Sequence, residues 1–163
     1  MPDAVLSIGS NSGDRVGHLR SALAELAAWV TAVSPVYETP PWGPVEQDDF
    51  LNAVVLVSDD GADGAEWLRR AHRAENAAGR TREVRWGPRT LDVDVVAVDG
   101  EQSDDPGLTL PHPRAAERAF VLVPWADVDP GATLGGVPVA DLARRLPDAD
   151  DVRRRDDLSI VSR

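Results

Sequence analysis

Apolar and polar positions alternate in short blocks along this chain, and the blocks switch between a period of two and a period near 3.6. Residues 5–8 form a brief apolar run stopped by Gly9, which predicts a strand. Val16, Leu19, Leu23, Leu26, Ala27 and Val30 then recur at helical spacing, so a helix with one apolar face is expected over 14–30. The glycine-rich turn at 9–14 either nests a phosphate or bends the chain sharply with a Ser or Asp capping the helix, and the second reading is favoured. Residues 32–38 predict a second strand and 50–57 a third, apolar on both faces around Asn52. That Asn needs a partner, either backbone or the edge of a heterocycle. A second helix is expected through Trp67, Leu68, Ala71, Ala74 and Ala78, with His72 and Glu75 three apart on one face, where the spacing by itself favours a solvated pair. A fourth strand covers 93–98, and 101–107 reads as a polar loop. Pro113 opens a helix that continues through Val123, a glycine-rich turn follows at 130–139, and a short helix at 139–146. The charge-dense stretch 148–157 reads as solvated, and 158–161 as a last edge strand. No repeat, heptad pattern or linker interrupts this order, so 1–163 is expected to be one domain.

Two segments do not fit the regular pattern. Residues 39–49 carry Pro40, Pro41, Gly43 and Pro44, which forbid helix and strand and predict a closing loop rather than a free proline-rich ligand. Residues 79–94 hold Arg80, Arg82, Arg85, Trp86 and Arg89, then Asp92 and Asp94 at the mouth of the fourth strand. Residues two apart in a strand share a face, so the two carboxylates project together. Paired carboxylates suit a hard divalent cation such as magnesium, and guanidinium groups grip phosphate oxygens in bidentate fashion. Metal and arginine together are what transfer of a phosphorus group requires.

Charge and composition narrow the field. The net charge is -11, which disfavours a polyanionic partner, so no nucleic acid is expected. Yet residues 69–89 contain seven arginines against two glutamates, a basic focus suited to a small anionic ligand. All 17 basic residues are arginine, so a P-loop, which needs its lysine, is excluded. The absence of cysteine excludes disulfides and thiolate-held metals and agrees with a reducing cytoplasm. No apolar run approaches the roughly 20 residues of a membrane helix, and the start of the chain lacks the pattern of a signal peptide. His112, stiffened between Pro111 and Pro113, travels with Arg118, and such a pair can contact phosphates. A non-catalytic small-molecule sensor and a metal-dependent phosphodiesterase or nuclease are the rival classes. The alternating aspartates and arginines weigh against the first, and the net charge against the second.

The segment Arg85-Trp86-Gly87-Pro88-Arg89-Thr90-Leu91-Asp92-Val93-Asp94 closely resembles the 6-hydroxymethyl-7,8-dihydropterin pyrophosphokinase family. The resemblance extends to Gly9-Ser10-Asn11 with Gly13-Asp14-Arg15, Tyr37-Glu38-Thr39-Pro40-Pro41 with Gly43-Pro44, Phe50-Leu51-Asn52-Ala53, and Pro111-His112-Pro113-Arg114 with Glu117-Arg118. These blocks occur in the family's order over roughly 5–130. The resemblance implies an α+β, ferredoxin-like sandwich, an antiparallel sheet with helices packed on it. It implies that ATP donates a diphosphate to the hydroxymethyl group of the reduced pterin, with release of AMP, in folate biosynthesis. By this likeness Asp92 and Asp94 hold two Mg2+ ions, and Arg80 and Arg89 are the main catalytic cations. His72, Glu75, Arg82, Trp86, Arg89, Thr109, His112 and Arg118 lie around ATP. Thr39, Pro40, Trp42, Phe50, Asn52, Asp92 and Phe120 surround the pterin. The partners implied are these two small molecules, with no membrane, and the chain is expected to act as a cytoplasmic monomer. Three departures stand out: His72 where glutamine is common, Phe50 where tyrosine is common, and a 79–86 segment about one residue short.

Overall fold

A computed structural model describes residues 4–40, 49–78 and 91–161, and in it the apolar runs become one antiparallel sheet. Strand β1 (Ala4–Ser10) is buried along its whole length. Asp14 caps helix α1 (Arg15–Leu26) by accepting the Gly17 N–H at 3.0 Å, which is the capped-turn reading of segment 9–14. The helix stops before its predicted end, and Val30 begins β2 (Val30–Val33) instead. The single strand expected at 32–38 is two, because β3 (Tyr37–Thr39) starts only after a break at Ser34-Pro35-Val36. Pro35 has no N–H to give a ladder. The Ser34 hydroxyl oxygen fills the gap by accepting the Val54 N–H at 2.9 Å.

Strand β4 (Phe50–Val57) pairs with β1, β2 and β3. Helix α2 (Gly64–Ala77) returns the chain to β5 (Asp92–Val98), which pairs with the other edge of β1. The order β3-β4-β1-β5, with α1 and α2 as the crossovers, is the βαββαβ arrangement of ferredoxin-like folds. A hairpin of β6 (Ser103–Asp105) and β7 (Leu108–Leu110) occupies part of the expected polar loop. The helix expected from Pro113 onward is interrupted. A single 3-10 turn at Ala115–Glu117 is followed by Arg118 in extended backbone, and α3 (Ala119–Val128) starts afresh. Strands β8 (Thr133–Leu134) and β9 (Val137–Pro138) turn about Gly135 and Gly136, both at positive φ (60° and 81°), as a tight two-residue hairpin demands. Helix α4 (Val139–Arg144) and a 3-10 turn at Ala149–Asp151 lead to β10 (Arg153–Arg154). Among the described residues no helix is long and apolar enough to cross a membrane.

Strand alternation divides the interior into two cores. Leu51, Ala53, Val55 and Val57 of β4 face α1 and α2, packing with Leu6, Ile8, Leu19, Leu26 and Trp67. Val54 and Leu56 face the opposite way, against Val121, Leu122 and Trp125 of α3 and Val139 of α4. The helices after β5 therefore cover a sheet face that a two-layer sandwich would leave bare. At one end of the first core the Arg70 guanidinium lies 3.8 Å over the Trp29 ring and 4.7 Å from the Trp67 ring centre.

The C-terminal segment differs from expectation in both halves. Residues 158–161 form no strand, and Ile160 instead packs into the first core. The edge strand is β10, within the segment that reads as solvated, and it pairs with β3. Pairing brings Arg153 and Arg155 to the Glu38 carboxylate at 3.3 and 3.0 Å, where Arg15 also reaches it at 3.0 Å. Charge density is thus matched by a carboxylate far away in sequence. Burial alone would raise the Glu38 carboxyl, but hydrogen bonds from Arg15 and Arg155 outweigh it and hold the group below its ordinary 4.5. A carboxylate lowered in the folded state stabilises fully above its unfolded value and loses that contribution as pH falls through the folded one. The stability difference between the parent chain and Glu38→Gln should therefore be constant above about pH 4.5 and shrink steadily below it. Urea unfolding between pH 7 and 3 measures this, and a difference that grows on acidification would contradict it.

Candidate functional site

The registers of β4, β1 and β5 set three residues side by side across the sheet. Asn52 lies opposite Gly9, and Gly9 lies opposite Asp92. One step along, Ser7 lies opposite Asp94. Directly opposed and alternate residues share a face, so Asn52, Asp92 and Asp94 all stand on the side covered further along by α3. Tyr37 opposes Asn52 and Thr39 opposes Phe50, which adds β3 to the same face. The two aspartates, Asn52, Thr39 and Phe50 are therefore assembled at one end of one sheet face.

Gly9 makes this assembly possible. A Cβ at that position would lie 2.8 Å from the Asn52 Oδ1 and 3.8 Å from the Phe50 ring. Only a residue without a side chain leaves the floor open between Asn52 and Asp92. Asn52 finds its partner in a side chain, donating from Nδ2 to the Thr39 Oγ1 at 2.9 Å. Both residues are buried, while Pro40 is exposed.

Strand β5 has a free edge on the far side from β1, and it is covered at two points. Glu75 on α2 is buried, and its Oε2 accepts the Val93 N–H at 3.0 Å. The His112 N–H reaches the Val96 carbonyl at 2.7 Å. These contacts grip β5 on either side of Asp94. His72 points outward from α2 while Glu75 points in, so the pair does not share an exposed face. The three-residue offset leaves one of them just inside the apolar stripe.

The Arg118 guanidinium stands 3.7 Å from the Asp94 carboxylate and 5.5 Å over the Phe120 ring. Arg118 occupies this place because it is the extended residue just before α3, and Phe120 is in the first turn of that helix. Burial holds the His112 imidazole below its usual value. Arg118 and Arg114 add to that effect and Asp94 opposes it. Its Nδ1 accepts the Arg114 N–H at 3.2 Å, so a neutral ring offers Nε2–H outward. Thr109 sits on the β6–β7 hairpin with its hydroxyl donated to the Asp105 carbonyl at 3.1 Å. Trp42, Arg80, Arg82, Trp86 and Arg89 lie outside the described residues, as does most of the closing loop expected at 39–49.

Among the described residues no group of three or more His, Asp or Glu gathers around one point. Asp92 and Asp94 are a pair of hard oxygen donors, both partly exposed. Such a pair fits magnesium, which keeps water and phosphate oxygens in its shell instead of an all-protein cage. Reading by motif singles out the aspartates, Asn52 and Arg118, but the floor role of Gly9 and the edge role of Glu75 depend on strand pairing. The signal for Gly9 was present as a glycine ending an apolar strand.

A family model for 7,8-dihydro-6-hydroxymethylpterin-pyrophosphokinase matches residues 5–130. A 2-amino-4-hydroxy-6-hydroxymethyldihydropteridine pyrophosphokinase of Mycobacterium tuberculosis is 48% identical, over 92% of this chain and 87% of its own. Its namesakes in Mycobacterium leprae and Bacillus subtilis are 51% and 45% identical, over 90% and 77% of this chain and 80% and 77% of theirs. In structure the chain is similar to Plasmodium falciparum HPPK-DHPS crystallised with pterin and p-hydrobenzoate, with a TM-score of 0.64 at 13% identity. That match covers 87% of this chain and 44% of the Plasmodium chain, and it bears on the fold alone. The chain belongs to the 7,8-dihydro-6-hydroxymethylpterin-pyrophosphokinase family.

Proposed function

We propose that the end of the sheet carrying Asp92, Asp94, Asn52 and Thr39 is where the family's reaction takes place. In that reaction ATP passes its terminal diphosphate to 6-hydroxymethyl-7,8-dihydropterin, a step of folate biosynthesis. The observation that carries this reading is the row Asn52–Gly9–Asp92 in the strand register, which sets a polar, heterocycle-sized floor beside a carboxylate pair.

The hydroxymethyl oxygen attacks the β-phosphorus of ATP. The new bond is O–P, the bridge between the α- and β-phosphorus atoms breaks, the hydroxyl proton is lost, and AMP leaves. Negative charge grows on the departing bridging oxygen and must be met by fixed cations. Asp92 and Asp94 would hold magnesium, two ions in number. Bound there, magnesium supplies charge neutralisation on the phosphate oxygens. Two carboxylates on one strand face repel without a counter-charge, and Arg118 provides one at Asp94. Arg118 and Arg82 would bind the ATP phosphates, and Arg80 and Arg89 would stabilise the charge that develops on transfer. His112 would donate Nε2–H to a phosphate oxygen, while Trp86, Thr109 and His72 would border the nucleotide. Glu75 has already committed Oε2 to the Val93 N–H, so much of its influence on ATP passes through the position of β5.

On the pterin side, Asn52 and Thr39 would read the polar edge of the heterocycle, with Phe50, Phe120, Trp42 and Pro40 around its flat faces. Asp92, at the end of the same row, would lie near the pterin. Buried Asn52 is costly to leave half-paired, so a heterocycle that completes its hydrogen bonds is selected over one that cannot. Action as a monomer in the cytoplasm belongs to the same reading.

Incubation with ATP, magnesium and the reduced pterin should release AMP, and formation of ADP would sink diphosphoryl transfer. Asp94→Asn should abolish turnover with unchanged circular dichroism, and Arg89→Ala should slow it at least ~10²-fold, the scale for one preorganised charge stabiliser. Near-normal rates in either variant would remove that residue from its role. Gly9→Ala should push Asn52 aside. It should raise KM for the pterin about tenfold or more, with KM for ATP little changed, as expected when a buried polar group loses its alignment. Steady-state kinetics varying each substrate in turn is the check.

A further inference from the structure

Residues 153–155 lie beyond the stretch 5–130 matched by the family model, yet they brace the strand that carries Thr39. Successive arginines of the β10 segment turn to opposite faces of β3. Arg153 and Arg155 reach the Glu38 Oε1 at 3.3 and 3.0 Å. Arg154 reaches Asp127 on α3 at 3.2 Å, at the same carboxylate oxygen that accepts the Tyr37 hydroxyl. The Arg155 N–H donates to the Val36 carbonyl at 2.8 Å, just before β3 begins.

Arg15, the first residue of α1, completes the cluster on the Glu38 face. Its Nη1 reaches the Glu38 Oε2 at 3.0 Å and the Asp49 carbonyl oxygen at 2.9 Å. Arg153 adds a bond to the Asp49 carboxylate at 3.2 Å. Two guanidinium groups therefore tie Glu38, in β3, to Asp49, the residue before β4. Glu38 stands between Tyr37 and Thr39, and in the register it lies opposite Leu51, between Phe50 and Asn52. A small slide of β3 along β4 would break the bond between Asn52 Nδ2 and Thr39 Oγ1.

We propose that Arg15, Arg153 and Arg155 are positioning residues for the pterin side of the site, acting through Glu38 and Asp49 on the alignment of Thr39 with Asn52. This rests on the reading of Thr39 and Asn52 as pterin contacts. Isolated surface ion pairs contribute little. Here the shared carboxylate of Glu38 is only 13% exposed, and charge-assisted bonds to a shielded, multiply held acceptor are stronger. Arg153 is 59% exposed and Arg155 32%, so Arg155 carries more of the effect. The C-terminal segment thus acts on substrate recognition without touching substrate.

The experiment compares the full chain with Arg155→Ala, Arg153→Ala/Arg155→Ala and Arg155→Lys. Each is titrated calorimetrically with the reduced pterin in the presence of magnesium and an ATP analogue whose α,β bridge is a methylene group. Each is also titrated with that analogue alone. The double variant should bind pterin about tenfold more weakly, the scale of one charge-assisted hydrogen bond, while the analogue's affinity stays within about twofold. Arg155→Lys should recover part of the loss. Unchanged pterin affinity in the double variant, or equal weakening of both ligands, overturns the proposal. Should the double variant fail to unfold cooperatively, Glu38→Gln, which keeps shape and one acceptor, replaces it under the same two criteria. If the unaltered chain binds no reduced pterin, the reading of the site fails and this inference with it. Normal binding by the unaltered chain with no selective loss in the variants overturns this inference alone.

Discussion

A strand hydrogen-bonded on both edges and buried on both faces has no freedom to slide, and β1 is such a strand. Its register with β4 and β5 fixes where every neighbouring side chain falls, because a shift by one residue would exchange the two faces of the sheet. The apolar residues of β1 enforce that choice, with Leu6 and Ile8 committed to one core and Val5 to the other. Once the register is fixed, Gly9 must separate Asn52 from Asp92. The polar end of the sheet is therefore a by-product of the same alternation that builds the core, and its precision comes from packing some distance away.

The cations of this protein are placed against its overall charge. A chain of net charge -11 holds its guanidinium groups where carboxylates already stand: Arg118 at Asp94, and Arg15, Arg153 and Arg155 at Glu38. In the first case the carboxylate is partly exposed and the contact is long, so the pair is weak. In the second the carboxylate is shielded and has several donors, which makes the cluster a fixture. Exposure, more than charge count, separates a weak pair from one that holds the frame.

The helices after β5 change what the fold can do. A two-layer sandwich would present the second sheet face to water, where Val54, Leu56 and Val96 would be exposed. Helices α3 and α4 cover these residues, and Asn52 and Asp92 lie outside that apolar cluster. Arg118 and Phe120 stand at the boundary, at the start of α3, because Arg118 leaves the helical conformation. The tie of Tyr37 to Asp127, with burial and that carboxylate both pushing the phenol upward, joins α3 to β3 across this layer.

Much of this was legible in the chain itself. Short apolar runs identify β1, β4 and β5, helical spacing identifies α1 and α2, and the Asp92/Asp94 spacing puts two carboxylates on one face without any knowledge of neighbours. Such features are local, since a strand's period of two and a helix's 3.6 are properties of consecutive residues. The break at Pro35 is also written locally, since a residue without an N–H cannot continue a ladder. What only the tertiary structure decided is which segments meet: that Glu75 caps the edge of β5, that Gly9 is the floor between Asn52 and Asp92, and that arginines read as solvated close on Glu38, which stands 115 positions before Arg153. Those meetings depend on strand register and on the burial of distant apolar faces, and neither is encoded in the residues that meet.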